Sequence, residues 1–346
     1  MQLHYYRDPL GNFGDDLNPW LWPQLLPGLL DDDPDELLVG IGTLLNHRLP
    51  AAPHKHVLGS GVGYGRLPQI DRRWTFHAVR GPYSAAQLGL PADSAVCDAA
   101  ILLRLVEARR GGCTDGPVGF MPTGQTLDSF DWASLCRENG LRFISPRGEP
   151  RQVVGELLGC RRVLCEAMHA AIVCDALRIP WVAVRCTPDV LAAKWRDWLA
   201  AVGLDYQPVD LPTLHGQDGG LRDELKRWVG RVGLGGHITP PPPRPSPAWL
   251  CAEAQVRLVS AAGLPGVLSD DRCLEQRTEQ LAWRLAHFRQ GRVGACPGPR
   301  QPLRPLGEAG GAFVRPACAR EPGPHAEGPP PLVLRGLGGA TGSAAG

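Results

Sequence analysis

Residues 162–184 read RVLCEAMHAAIVCDALRIPWVAV. Val163 and Leu164 form a short apolar run of the kind that makes a buried strand. A small-residue segment follows at helical spacing, with Ile172, Val173, Ala176 and Leu177 on one face. Pro180 ends that helix, and residues 181–184 begin a second buried strand. Strand, helix, strand implies two parallel neighbours in one sheet. Glu166 and His169 stand where the first strand hands over to the helix, at the carboxyl edge where open α/β folds bind ligands. Unpaired N–H groups and the helix dipole favour an anion there, and a histidine can move protons near neutral pH. His169 would serve as well in capping or packing the helix, and the pattern alone does not choose.

The flanking chain alternates in the same way. Residues 117–121 read as a strand, 128–139 as an amphipathic helix, 141–144 as a strand and 150–158 as a helix. A further helix spans 190–202. Residues 111–116, Gly-Gly-Cys-Thr-Asp-Gly, look like a hinge, which places an N-terminal α/β domain at 1–110 and a second at 111–239. Residues 222–232 read as helix, 240–249 as a proline-rich linker and 250–290 as helical again. Beyond 291 the composition turns to Gly, Pro, Ala and Arg without periodicity, predicting a disordered tail over 291–346.

In the first domain, residues 3–6 form a strand that runs into Gly11-Asn12-Phe13-Gly14-Asp15-Asp16-Leu17-Asn18. The glycines make a tight turn, and Asp15, Asp16 or Asn18 can cap a helix over 19–26. This edge reads equally as a plain turn with a helix cap or as a polar-substrate site using Asn12, Gly14 and Asp15. Strands follow at 37–42 and at 54–58. The second opens into Gly59-Ser60-Gly61-Val62-Gly63-Tyr64-Gly65. Its spacing fits neither a dinucleotide fingerprint nor a P-loop, so Gly61 and Gly63 are expected to bring backbone close to a ligand. A fourth strand, 74–79, leads to Arg80 and a helix over 85–88. An arginine at such an edge suits a carboxylate or phosphate, or it is a surface residue. Asp98 is either a cleft carboxylate or the cap of the helix after it.

The chain of 346 residues is 43% hydrophobic and 21% charged with a net charge of +1, which suits a soluble protein and gives no global field for nucleic acid. The N-terminus lacks a signal-peptide core, and no run reaches the roughly 20 apolar residues of a membrane span. A cytoplasmic protein, touching the inner face of the plasma membrane at most peripherally, is expected. The 11 cysteines contain no C-x-x-C pair, which argues for reduced core thiols and against a metal site.

Glu166-Ala167-Met168-His169-Ala170-Ala171-Ile172, Asp175-Ala176-Leu177 and Ile179-Pro180-Trp181-Val182 resemble the signature of polysaccharide pyruvyltransferases. The resemblance is strongest to the bacterial exopolysaccharide (xanthan-type) ketal pyruvate transferases. It extends, in order, through the segments 11–18, 40–43, 59–64, 79–82, 88–89 and 98–100. It implies two Rossmann-like domains facing across a cleft in the manner called GT-B, with the acceptor side in the first and phosphoenolpyruvate on the second. It implies transfer of pyruvate from phosphoenolpyruvate onto two hydroxyls of a sugar, probed best on a lipid-linked oligosaccharide, with no cofactor. His169 would then transfer protons with Glu166 as partner or second acid–base group. Arg80 would bind an anionic group of the donor, and Asn12 and the glycine loop would line the cleft. Many relatives carry Arg-Leu-His where this chain has Ala167-Met168-His169, so the second phosphate cation is open among Lys55, His54, His56, Arg185 and Lys194. A nucleotide-sugar glycosyltransferase of the same architecture, or a catalytically inactive sugar-binding relative, are the competing readings.

Overall fold

A computed structural model describes residues 1–216 and 245–293 of the chain. The readings made above for a helix at 222–232, for most of the linker and for the tail beyond 293 fall outside these residues. The described chain is α/β with two wholly parallel sheets. The first has the order β1 (Gln2–His4), β2 (Glu36–Val39), β3 (His54–Leu58), β4 (Trp74–Ala78). The second has the order β6 (Arg142–Phe143), β5 (Val118–Met121), β7 (Arg162–Cys165), β8 (Trp181–Arg185), β9 (Val209–Asp210). Parallel strands need crossovers, and the apolar runs ELLV and VGFM are buried along their whole length, as sheets covered on both faces require.

Helix α1 (Phe13–Leu25) starts six residues earlier than the turn residues suggested. Asn12, not Asp15, Asp16 or Asn18, is its N-cap, and Asn12 Oδ1 accepts the Gly14 N–H at 3.1 Å. Of the two prolines inside the helix, Pro19 is tolerated because the carbonyl it frees is satisfied locally. Pro19 cannot donate to the Asp15 carbonyl, which instead accepts from Asn18 Nδ2 at 2.9 Å. Asn18 also accepts from Ile41 N–H and Trp22 Nε1, which locks α1 to the end of β2. Helix α2 (Pro82–Gln87) follows β4, and Asp98 caps the 3-10 helix Ala99–Leu105.

In the second half, the expected helix at 128–139 is two, α3 (Gly124–Ser129) and α4 (Trp132–Glu138). Thr123 caps α3 and Asp131 caps α4, accepting from Thr126 and Ser134 N–H respectively, and two caps eight residues apart leave room for one short helix between them. Helix α5 (Pro150–Leu158) precedes β7. Helix α6 (Met168–Leu177) joins β7 to β8, and α7 (Ala192–Ala201) precedes β9. The expected helical stretch 250–290 is also two, α8 (Ala248–Gly263) and α9 (Asp271–Val293). Helix α9 returns to the first sheet, where Arg284 donates to the carbonyls of His77 and Asp93.

One hydrophobic cluster runs through both sheets, from Leu17 and Trp22 on α1 to Val173 on α6 and Trp195 on α7. Trp181, Trp195 and Trp198 are buried and meet with centroids 5.6–6.2 Å apart, and each such pair contributes about 0.5–1.5 kcal/mol beyond burial. Cys97, Cys136, Cys160, Cys165, Cys174 and Cys186 are free, buried and act as small core residues. Cys273 departs from that expectation and is disulfide-bonded. Among the described residues no helix is long and apolar enough to cross a membrane.

Candidate active site

The carboxyl ends of strands from both sheets open onto one cavity of about 720 Å³. From the first sheet come residues 4–8 after β1, Thr43 and Leu44 after β2, and Tyr64 from the glycine loop after β3. From the second come Thr123 after β5, Ala167 to His169 after β7, and Thr187 with Asp189 to Leu191 after β8. The N-terminal ends of α1, α6 and α7 reach the same space, each bringing the positive end of its dipole.

His169 stands in the first turn of α6 and is held from two sides. Its Nε2 lies 3.7 Å from Asp98 Oδ2, and both atoms are buried without a hydrogen-bond partner. The other Asp98 oxygen accepts the Ala100 N–H at 3.0 Å, which fixes the carboxylate behind the ring. On the opposite side the imidazole rests on Gly14, where an added Cβ would sit 2.0 Å from Nδ1. Only a residue without a side chain permits that approach. The carboxylate thus faces Nε2, and Nδ1 lies against Gly14.

Asn12, Gly14 and Asp15 line the cavity beside His169. Burial pushes the Asp15 carboxyl up to about 6, opposed by the charges of His169 and Lys194 and reinforced by Asp16 and Asp8. The N-cap of α6 is Ala167, which offers no side-chain cap to the Met168 and His169 N–H groups, and all three residues line the cavity.

Four expected residues are placed elsewhere. Glu166 is buried outside the cavity lining, with its two oxygens accepting the N–H groups of Thr123 and Cys186 at 2.9 Å each. A carboxylate at the end of β7 satisfies the backbone after its neighbours β5 and β8, and so shapes the rim. Arg80 is fully buried, donating to Asp197 Oδ2 at 3.1 Å, Thr43 Oγ1 at 2.8 Å and the Val62 carbonyl at 2.7 Å. Removing one partner of such a buried pair costs about 3–5 kcal/mol, and a guanidinium so engaged is closed to a ligand. Gly61 lies under Arg80, with an added Cβ 2.4 Å from its Cζ, and Gly63 packs on Thr43 and Leu191. Neither lines the cavity; both allow close packing of the chain itself.

Of the cations considered from sequence, Lys194 alone lines the cavity, donating to Tyr64 Oη at 3.0 Å. Lys55 is buried and donates to the Ala52 carbonyl, and Arg185 pairs with Asp210. Arg7 and Arg48 also line the cavity, and reading the sequence alone missed both. They sit in loops after β1 and β2, where no periodicity marks them.

A cavity at the carboxyl edges of parallel strands, with a carboxylate-backed histidine at the start of a helix, is the arrangement in which open α/β folds bind their ligands. No family model matches the chain. It is 39% identical over 216 residues, 62% of its length and 68% of the relative's, to the succinoglycan biosynthesis protein ExoV of Rhizobium meliloti (strain 1021). The chain belongs to the exopolysaccharide pyruvyltransferase family.

Proposed function

We propose that the protein transfers pyruvate from phosphoenolpyruvate onto two hydroxyls of a sugar during exopolysaccharide synthesis, closing a cyclic ketal. The observation that carries this reading is His169, backed by Asp98 and seated at the uncapped start of α6 inside the cavity. The donor is an enol phosphate that bears a carboxylate, so its site must offer positive potential together with a proton-transfer group. Open N–H groups of α6 supply the first, with Lys194, Arg7 and Arg48 around them. His169 supplies the second, and Asp98 stabilises the imidazolium that forms when the ring takes a hydroxyl proton. Glu166 acts at one remove, holding the loops after β5 and β8 against the start of α6.

Family membership also supports reading the two sheets as two Rossmann-like domains that face each other across the cavity as in GT-B enzymes. On that reading Tyr6 and Tyr64, exposed on the first-sheet side of the cavity, offer flat faces to a sugar, and the donor lies against α6. The acceptor is a sugar, and a lipid-linked oligosaccharide is the form to test first.

The test is incubation with phosphoenolpyruvate and mannose- or glucose-terminated lipid-linked oligosaccharides, following phosphate release and a product mass gain of one pyruvate less water. Ketal formation is expected, and His169→Ala should lower its rate by about 10²–10⁴. Turnover undiminished in His169→Ala would remove the role given to that residue. Failure to transfer to any acceptor, with thermal protection by a nucleotide sugar and none by phosphoenolpyruvate, would replace this reading with glycosyl transfer.

A further inference from the structure

Ketal formation needs two proton-transfer groups, because one proton must reach the donor's methylene carbon while another leaves the attacking hydroxyl. Glu166, whose oxygens both hold backbone N–H groups outside the cavity, is not placed for either task. The neighbouring α1 carries a carboxylate that is. Asp15 lies in the first turn of that helix and lines the cavity. It follows Gly14, the residue on which the His169 ring rests. Its helix neighbour Asp16 is engaged, accepting the Asn12 N–H at 3.0 Å. Among the described residues none donates a hydrogen bond to the Asp15 carboxyl, whose Oδ1 lies against Gly42, where an added Cβ would sit 3.1 Å away.

We propose that Asp15 is the acid that protonates the methylene carbon of phosphoenolpyruvate, with His169 as the base for the incoming hydroxyl. This role rests on the pyruvyl-transfer reading and deepens it. In the first step the Asp15 O–H bond breaks and its proton forms a C–H bond at the methylene, making a methyl group. The sugar oxygen forms a bond to the adjacent carbon and its proton passes to His169. In the second step the carbon–oxygen bond to phosphate breaks, phosphate keeping the electron pair and taking the proton from His169. The second hydroxyl then bonds to the same carbon and returns a proton to Asp15. Both residues finish as they began, and the products are the ketal and hydrogen phosphate.

The surroundings suit this division of labour. Burial holds the Asp15 carboxyl up to about 6, so the acid form persists well above the usual carboxylate range. The charged groups facing it are His169 from α6 and Lys194 from α7, which favour its ionisation, and Asp16 and Asp8, which oppose it. His169 has Asp98 at its back and is thereby suited to gain a proton.

The experiment is kcat and kcat/KM against pH for the full chain, with phosphoenolpyruvate and an active acceptor. Asp15→Asn and Asp15→Glu are measured beside it, each also tested for phosphoenolpyruvate binding and melting temperature. Asp15→Asn is expected to lose about 10²-fold or more in kcat, to keep donor binding, and to lose the limb on which activity falls as pH rises through about 6. Asp15→Glu should recover part of the rate. Because the folded state holds this proton more tightly than the unfolded chain, ionised Asp15 opposes folding above that pH. Asp15→Asn should therefore melt no lower than the parent at pH 8, separating lost chemistry from lost structure. Full turnover with an unchanged pH profile in Asp15→Asn would overturn the assignment. So would loss of donor binding with a lowered melting temperature, since that marks a structural role. If the unaltered protein forms no ketal, the pyruvyl-transfer reading itself fails and takes this role with it.

Discussion

Helices α1 and α6 both begin at the cavity, yet their first turns are finished in opposite ways. The chain closes α1 itself: Asn12 accepts the Gly14 N–H, and Asp16 accepts the Asn12 N–H. At α6 the cap position is Ala167, whose side chain can accept nothing, and the carboxylate one residue earlier, Glu166, is turned to the loops after β5 and β8. A side-chain cap occupies the same N–H groups that an anionic ligand would use. The closed end contributes side chains and a bare glycine surface to the cavity, and the uncapped end brings Ala167, Met168 and His169 to it. His169 belongs to the open helix and rests on the closed one, so the two first turns form a single device.

The contact between the two helices is the place to break that device with the largest effect. Gly14→Ala puts a Cβ into the space of the His169 ring, at 2.0 Å from Nδ1 in the present geometry. The ring must move, and a displaced proton-transfer group loses about 10²-fold or more in kcat. A steady-state assay, with a melting curve showing that the helix survives, reads this directly. Full activity in Gly14→Ala would show that the contact between the helices does not position the histidine.

Glu166→Gln probes the carboxylate that α6 turns away. One of the two N–H groups it accepts would then face an amide NH₂, lowering stability by about 1–3 kcal/mol. The expected pattern is a fall in melting temperature with a smaller change in kcat. The reverse, an unchanged melting temperature with kcat reduced by about 10²-fold or more, would give the second acid–base role back to Glu166.

The smallest effects come from exchanging the caps. Asn12→Ala should cost about 1 kcal/mol of stability, and Ala167→Ser should add up to about that amount by filling an open N–H group. The sharp readout is donor affinity. Ala167→Ser should weaken phosphoenolpyruvate binding as it stabilises the fold, in calorimetry beside thermal melts. Unchanged affinity would mean that the donor does not use the start of α6.

Several elements were legible from pattern alone. Residues 150–158 read as helix and form α5 with the same bounds, and 162–184 folds as the strand–helix–strand unit its periodicity implies. Longer stretches misled because helical periodicity continues across a cap. The segment 128–139 breaks at Phe130 and Asp131, and 250–290 breaks between Gly263 and Asp271. Asn12, Gly14, Asp15, Asp98 and His169 were each marked by a turn or a strand end, and the structure brings them to one place. Arg80 carried the same kind of mark and is placed elsewhere. Its partner Asp197 lies 117 residues away on α7, and no local pattern announces it.

The sequence by itself determined the class of fold and the points where chemistry could stand, because apolar periodicity, prolines, glycines and caps act over a few residues. Only the tertiary structure decided which polar groups remain open at those points. Arg80 and Glu166 are closed by pairing and backbone contacts, whereas Asp15, His169 and Lys194 are left facing the cavity. Availability of a charge depends on burial and partners, and those are set by segments far apart in the chain that meet only in the folded structure.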